Sequence, residues 1–119
     1  MTVLLVFVAG GAGALSRYGL STLVHGHALP WMTVAINVVG SFFLGVLLVV
    51  SGDWLTDQTR TALGVGFLGG FTTFSTFSVQ AFADIEGGEP ARAFLYIAVS
   101  VVAGIGAAAA GYYLARAAT

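Results

Sequence analysis

Three spacings in this chain place polar side chains in apolar surroundings. Thr33, Asn37 and Ser41 recur every four residues, so on a helix they form one stripe. Tyr96 and Ser100 repeat the interval, with Gly104 next in line. Between these stripes lies the run Gly69-Gly70-Phe71-Thr72-Thr73-Phe74-Ser75-Thr76-Phe77-Ser78, followed by Gln80. Hydroxyls and amides donate hydrogen bonds, and aromatic ring edges carry partial positive charge. No Asp, Glu or Lys stands among them. A path lined by donors and free of fixed negative charge suits an anion, whereas a proton-coupled cation exporter needs a buried carboxylate to trade protons. Each residue also has a plainer reading: Asn37 as an interhelical hydrogen bond, Phe74 and Phe77 as core packing.

The elements that must hold these groups are membrane spans. Apolar residues make up 58% of 119 positions and charged residues 8%, with a mean hydropathy of +0.97; a soluble domain carries about a quarter charged residues. A spanning helix needs roughly 20 apolar residues. Residues 3–24, 31–50, 61–83 and 93–115 qualify, giving an all-α membrane protein of one four-helix domain without internal repeats. No charge falls between Thr61 and Ala83. Two glycines and five hydroxyls in the middle of that span predict a break in the helix between Gly69 and Thr76, because irregular backbone is tolerated at that depth where it is buried in protein or lines a cavity. The segment reads as the working part of an ion or solute path. With no basic residue before Arg17, the first apolar stretch is expected to stay in the membrane as a span.

Charge is sparse and evenly placed. The four arginines divide between the two sides of a four-span chain, Arg60 and Arg116 opposite Arg17 and Arg92. Orientation follows Lys and Arg near span ends, so a tie either permits insertion both ways, with copies paired antiparallel, or involves too few charges to decide. Small-xxx-small pairs (Ser41 with Gly45, Gly66 with Gly70, Ala107 with Gly111) allow close helix approach, and oligomerisation is expected. A net charge of −1 gives no footprint for nucleic acid, and the lack of cysteine excludes disulfides and thiolate metal sites.

The remaining residues are less specific. Arg17, near the end of the first span, either snorkels to the interface or gathers anions at a vestibule. Trp31 and Trp54 are placed as interfacial anchors. His25 and His27 lack a third metal ligand nearby. Gly64-Val65-Gly66-Phe67-Leu68-Gly69 satisfies a dinucleotide-binding consensus, but that site needs a strand before and an acidic residue about 20 positions on; these are better read as packing glycines.

Taken together, Gly10-Gly11-Ala12-Gly13-Ala14 with Arg17-Tyr18, Asn37 with Gly40-Ser41-Phe42 and Gly45, and the run from Gly69 to Ser78 resemble the fluoride channels called Fluc or CrcB over essentially the whole chain. The resemblance implies an antiparallel, dual-topology homodimer embedded in lipid, with two pores that export fluoride passively across the cell membrane. It implies Phe74 and Phe77 as pore phenylalanines, Asn37 as an amide donor, and Thr33, Ser41, Thr76, Tyr96 and Ser100 along the polar path. It implies a structural Na⁺ at the dimer centre, held by the backbone carbonyls of Gly69 and Thr72 from both subunits. The chain differs at Gln80, where the family commonly has Glu, and Gly104 lacks a hydroxyl sometimes present one turn beyond Ser100. Some members pair non-identical subunits, so a heterodimer with a paralogue is the counterpart of self-sufficiency, which the intact set of motifs favours. Two rival classes are a small multidrug-type transporter, opposed by the missing intramembrane acid, and a non-conducting assembly subunit.

Overall fold

Four helices long and apolar enough to cross a membrane dominate the computed structural model: Thr2–Ser21, Ala28–Val49, Asp57–Glu86 and Pro90–Ala118. The structure describes residues 1–50 and 55–119; Asp53 and the anchor expected at Trp54 lie outside the described residues. Every described element is helical. The first two are continuous, α1 (Thr2–Ser21) and α2 (Ala28–Val49), and so is the last, α6 (Pro90–Ala118). The third span is composite: α3 (Asp57–Thr61), a π-helical segment (Ala62–Leu68), α4 (Gly69–Phe71) and α5 (Phe74–Glu86). It starts earlier than its apolar run because Thr56 caps it, the hydroxyl accepting from the Thr59 N–H at 3.2 Å, with Asp57 in the first turn, where negative charge meets the positive end of the helix dipole.

The helices pair unevenly. α2 runs along α6, α1 lies along the π-helical segment and α4, and α5 returns against α6. The turn from α5 to α6 is tight. Gly88, at φ 82°, lets the Glu89 N–H reach the Asp84 carbonyl at 2.8 Å and its own N–H reach that of Ile85 at 3.1 Å, which closes α5 in a Schellman motif. Pro90 then opens α6 with its φ already helical.

Close approach explains the small residues. A Cβ at Gly45 would fall inside the surface of the Ala108 carbonyl oxygen, and one at Gly111 inside that of Phe42, so α2 and α6 touch backbone to backbone. The small-xxx-small pairs are thus used within one chain. The glycines of the dinucleotide-like run sit in the π-helical segment, with Gly66 against Val6 and Ala9 of α1, as packing glycines do.

The break in the third span is narrower than the Gly69–Thr76 interval. Helix is abandoned at Thr72 and Thr73 alone, with φ/ψ of −83°/160° and −150°/120°; Gly69–Phe71 and Phe74 onward stay helical. The reason is a cap. The Thr73 hydroxyl accepts from the Thr76 N–H at 3.3 Å and starts α5 afresh in mid-span. Thr73→Val, which keeps the branched shape and removes the acceptor, should cost about 1 kcal/mol of stability, measurable by thermal unfolding in detergent.

Candidate functional site

The break exposes backbone groups that hydrocarbon cannot satisfy, and side chains from other helices meet them. Asn37, on α2, pairs with Thr73 at both ends: Nδ2 donates to the Thr73 carbonyl at 3.0 Å, and Oδ1 accepts from the Thr73 N–H at 2.8 Å. Each Asn amide has two N–H donors, so one Nδ2 proton remains. Arg17 turns inward from α1, its Nε donating to the Gly70 carbonyl at 3.2 Å. It therefore supports the broken helix from a different span than Asn37 does. Neither partnership is visible as a sequence spacing, since the separations are 36 and 53 residues.

Above these groups lies a groove of about 340 Å³. α2 contributes Asn37, Gly40 and Ser41; the third span contributes Gly69, Thr72, Thr73, Phe74 and Phe77; α6 contributes Ser100 and Gly104. None of the described residues that line it is charged. The structure thus gathers Asn37, Ser41, Phe74, Phe77 and Ser100, with Gly69 and Thr72, around one space. Thr33, Thr76 and Tyr96 are not among its lining residues.

Counting protons shows which groups can still donate. Thr33 donates to the Leu29 carbonyl, Thr72 to that of Leu68, and Ser78 to that of Phe74. The Thr73 hydroxyl donates to Thr76. Serine and threonine commonly bond back to the i−4 carbonyl in this way. Ser100 differs: its hydroxyl oxygen is buried and has no hydrogen-bond partner. A buried polar group without a partner is costly, and this one borders the groove that Asn37 also lines. Ser41 Oγ lies 3.9 Å from where a Gly104 Cβ would stand, so the absent side chain leaves room at that level.

The phenylalanines continue the lining. Phe74 is 79% exposed, and its ring centroid is 5.9 Å from that of Phe77. Phe77 leans on Tyr96, 5.2 Å away, and the Tyr96 hydroxyl donates to Gln80 Oε1 at 2.7 Å. Trp31 meets the Tyr96 ring edge-on at 6.3 Å. Beyond the groove, His27 pairs through Nδ1 with Arg92 Nη2, and among the described residues no group of three or more His, Cys, Asp or Glu converges as a metal site.

The carbonyls of Gly69 and Thr72 fit the expected cation site in their chemistry. Breaking the helix at Thr72 removes their i+4 donors, and no hydrogen bond from a described residue reaches either oxygen. Carbonyl oxygens are hard donors that suit hard cations.

Four spans, a helix break within the third and a donor-lined groove with no acidic residue among the described residues that line it mark a multi-pass membrane protein. The family model described as "CrcB-like protein, Camphor Resistance (CrcB)" matches residues 4–112, and the chain belongs to that family. A relative from Thermus thermophilus is 44% identical over 115 residues, 93% of this chain and 92% of its own length. One from Geobacter sulfurreducens is 39% identical, covering 97% of both chains, and one from Coxiella burnetii 38%, covering 98% of both. All three are named fluoride-specific ion channel FluC. The chain is therefore a multi-pass protein of the cell membrane and not an enzyme.

Proposed function

We propose that this chain is the subunit of a fluoride-selective channel that lets fluoride leave the cell passively and so relieves its toxicity. The observation that carries the reading is the groove itself. Its spare donors are the Ser41 and Ser100 hydroxyls, one Asn37 amide proton and the phenylalanine edges, and among the described residues no carboxylate opposes an anion there. Fluoride is small and strongly hydrated, so a narrow path must replace water with close donors. Relatives near 40% identity bearing the name of fluoride channels support the same ion.

In a single chain the groove is lined by three helices yet lies at the surface, where Phe74 stands exposed. The molecule measures 52 × 31 × 20 Å, long enough for a bilayer core of about 30 Å yet thin in its third dimension. Polar groups facing lipid would go unsatisfied, which favours a second copy covering that side. The even split of arginines favours an antiparallel arrangement of identical chains, with a paralogous partner as the variant assembly. In such a dimer the Gly69 and Thr72 carbonyls of both copies would hold a structural Na⁺. Its charge would offset the freed carbonyl dipoles and favour an anion nearby.

The test is reconstitution of the purified protein alone in liposomes, with fluoride release read by a selective electrode beside chloride-loaded vesicles. Fast fluoride efflux with little chloride loss is expected, and Phe74→Ile or Phe77→Ile should slow it about tenfold or more without changing assembly. Equal rates for the two halides would overturn fluoride selectivity. Flux untouched by either substitution would favour an assembly role for the polar residues.

A further inference from the structure

The phenol of Tyr96 has one proton to give, and the structure shows it given to Gln80 Oε1 at 2.7 Å. Tyr96 is itself fixed, 1% exposed and wedged between Trp31 and Phe77. The polarity of the pair is thereby inverted. What Tyr96 keeps are lone pairs, which repel an anion. What Gln80 keeps is its NH2 group: the carbonyl end is anchored, no described residue accepts a hydrogen bond from Nε2, and the side chain is half-buried, not sealed. Gln80 follows Phe77 by three residues on α5, one turn further along the same face. Asp84, the next residue on that stripe, sits 4.0 Å from Arg92, so its charge has a cationic neighbour. Just past the groove, then, an uncharged amide offers two N–H donors held in one orientation.

We propose that Gln80 coordinates the permeating ion through Nε2, one turn beyond Phe77, and that Tyr96 is its positioning residue, holding Oε1 so that the donors face the path. The inference rests on the channel reading and adds to it a residue whose type matters: glutamine supplies donors here where a carboxylate supplies none. Tyr96 acts through Gln80 and touches no ion.

The two roles make a double-mutant cycle decisive. Fluoride efflux from liposomes would be compared for the unaltered protein, Gln80→Met, Tyr96→Phe and the double variant, each checked for assembly by size exclusion. Gln80→Met keeps length and loses both donors; it should slow efflux about tenfold or more. Tyr96→Phe should slow it severalfold when Gln80 is present and have no further effect beside Gln80→Met. The double variant also leaves no unpaired hydroxyl, so it reads the donor loss if Gln80→Met alone assembles poorly. Efflux at the unaltered rate in the double variant would overturn the proposal, and so would a Tyr96→Phe effect of equal size in both backgrounds. Absence of fluoride efflux from the unaltered protein would instead overturn the channel reading, and this proposal with it.

Discussion

Asn37→Leu should reduce fluoride efflux at least about a hundredfold and lower the stability of the protein at the same time. Both amide ends of Asn37 serve the backbone of Thr73, the residue at which the third span restarts. Leucine fits an apolar helix but offers Thr73 neither donor nor acceptor. Each buried backbone group left unsatisfied costs about 1–3 kcal/mol, and more in hydrocarbon. Two such groups amount to at least 2–3 kcal/mol, roughly a hundredfold if the broken geometry is the one that conducts. The spare Nδ2 proton that borders the groove is lost as well.

Asn37→Asp separates the two contributions. A carboxylate still accepts from the Thr73 N–H, so part of the clamp survives and the stability loss should be smaller than with leucine. It donates nothing, however, and places a negative charge beside the groove. Efflux should therefore fall as far as in Asn37→Leu, or further, while the unfolding temperature falls less. If efflux followed stability in strict proportion across the two variants, Asn37 would be a structural clamp alone. Size exclusion and thermal unfolding in detergent, run with the liposome assay, give both readouts.

The sequence made the spans legible because charge is so scarce: a run from Thr61 to Ala83 without one charged residue admits few alternatives to a span. It also located the break, since glycines and hydroxyls crowd one stretch of that run. Its width was not legible. Whether helix ends at Gly69 or at Thr72 depends on which carbonyls find partners, and those partners, Arg17 and Asn37, come from other spans. Arg17 shows the limit most plainly. A lone arginine near a span end looks the same whether it snorkels, faces water or reaches a carbonyl. The π-helical segment, with its i→i−5 bond from the Gly69 N–H to the Gly64 carbonyl, was equally hidden, because the apolar run from Ala62 to Leu68 reads as ordinary helix. Helical spacing nominated Thr33, Ser41, Tyr96 and Ser100 together, yet it could not say which hydroxyls had already spent their protons on neighbouring acceptors. Small-xxx-small pairs announced close packing without naming the partner, and in this chain the partner is another helix of the same molecule.

Gly111→Ala should prevent stable folding or come close to it, although it adds a single methyl group. The atom it would strike is the backbone carbonyl oxygen of Phe42, which has no rotamer to change. The only relief is to push α2 and α6 apart along their whole contact. Overpacking that side chains absorb costs about 1–3 kcal/mol; here the cost should lie at or above the top of that range. Gly45→Ala meets the Ala108 oxygen in the reciprocal position and should behave alike. Gly106, five residues before Gly111 on α6, supplies the control. A Cβ there meets nothing within 4 Å, and alanine is favoured over glycine in a helix by up to about 1 kcal/mol, so Gly106→Ala should leave the unfolding temperature unchanged or raise it. The contrast bears on function because α2 carries Asn37 and Ser41 while α6 carries Ser100. A shift between the two helices would widen the space in which these donors converge, and fluoride selectivity should weaken in any Gly111→Ala protein that survives purification. Equal unfolding temperatures for Gly111→Ala and Gly106→Ala would refute the α2–α6 crossing on which the groove depends.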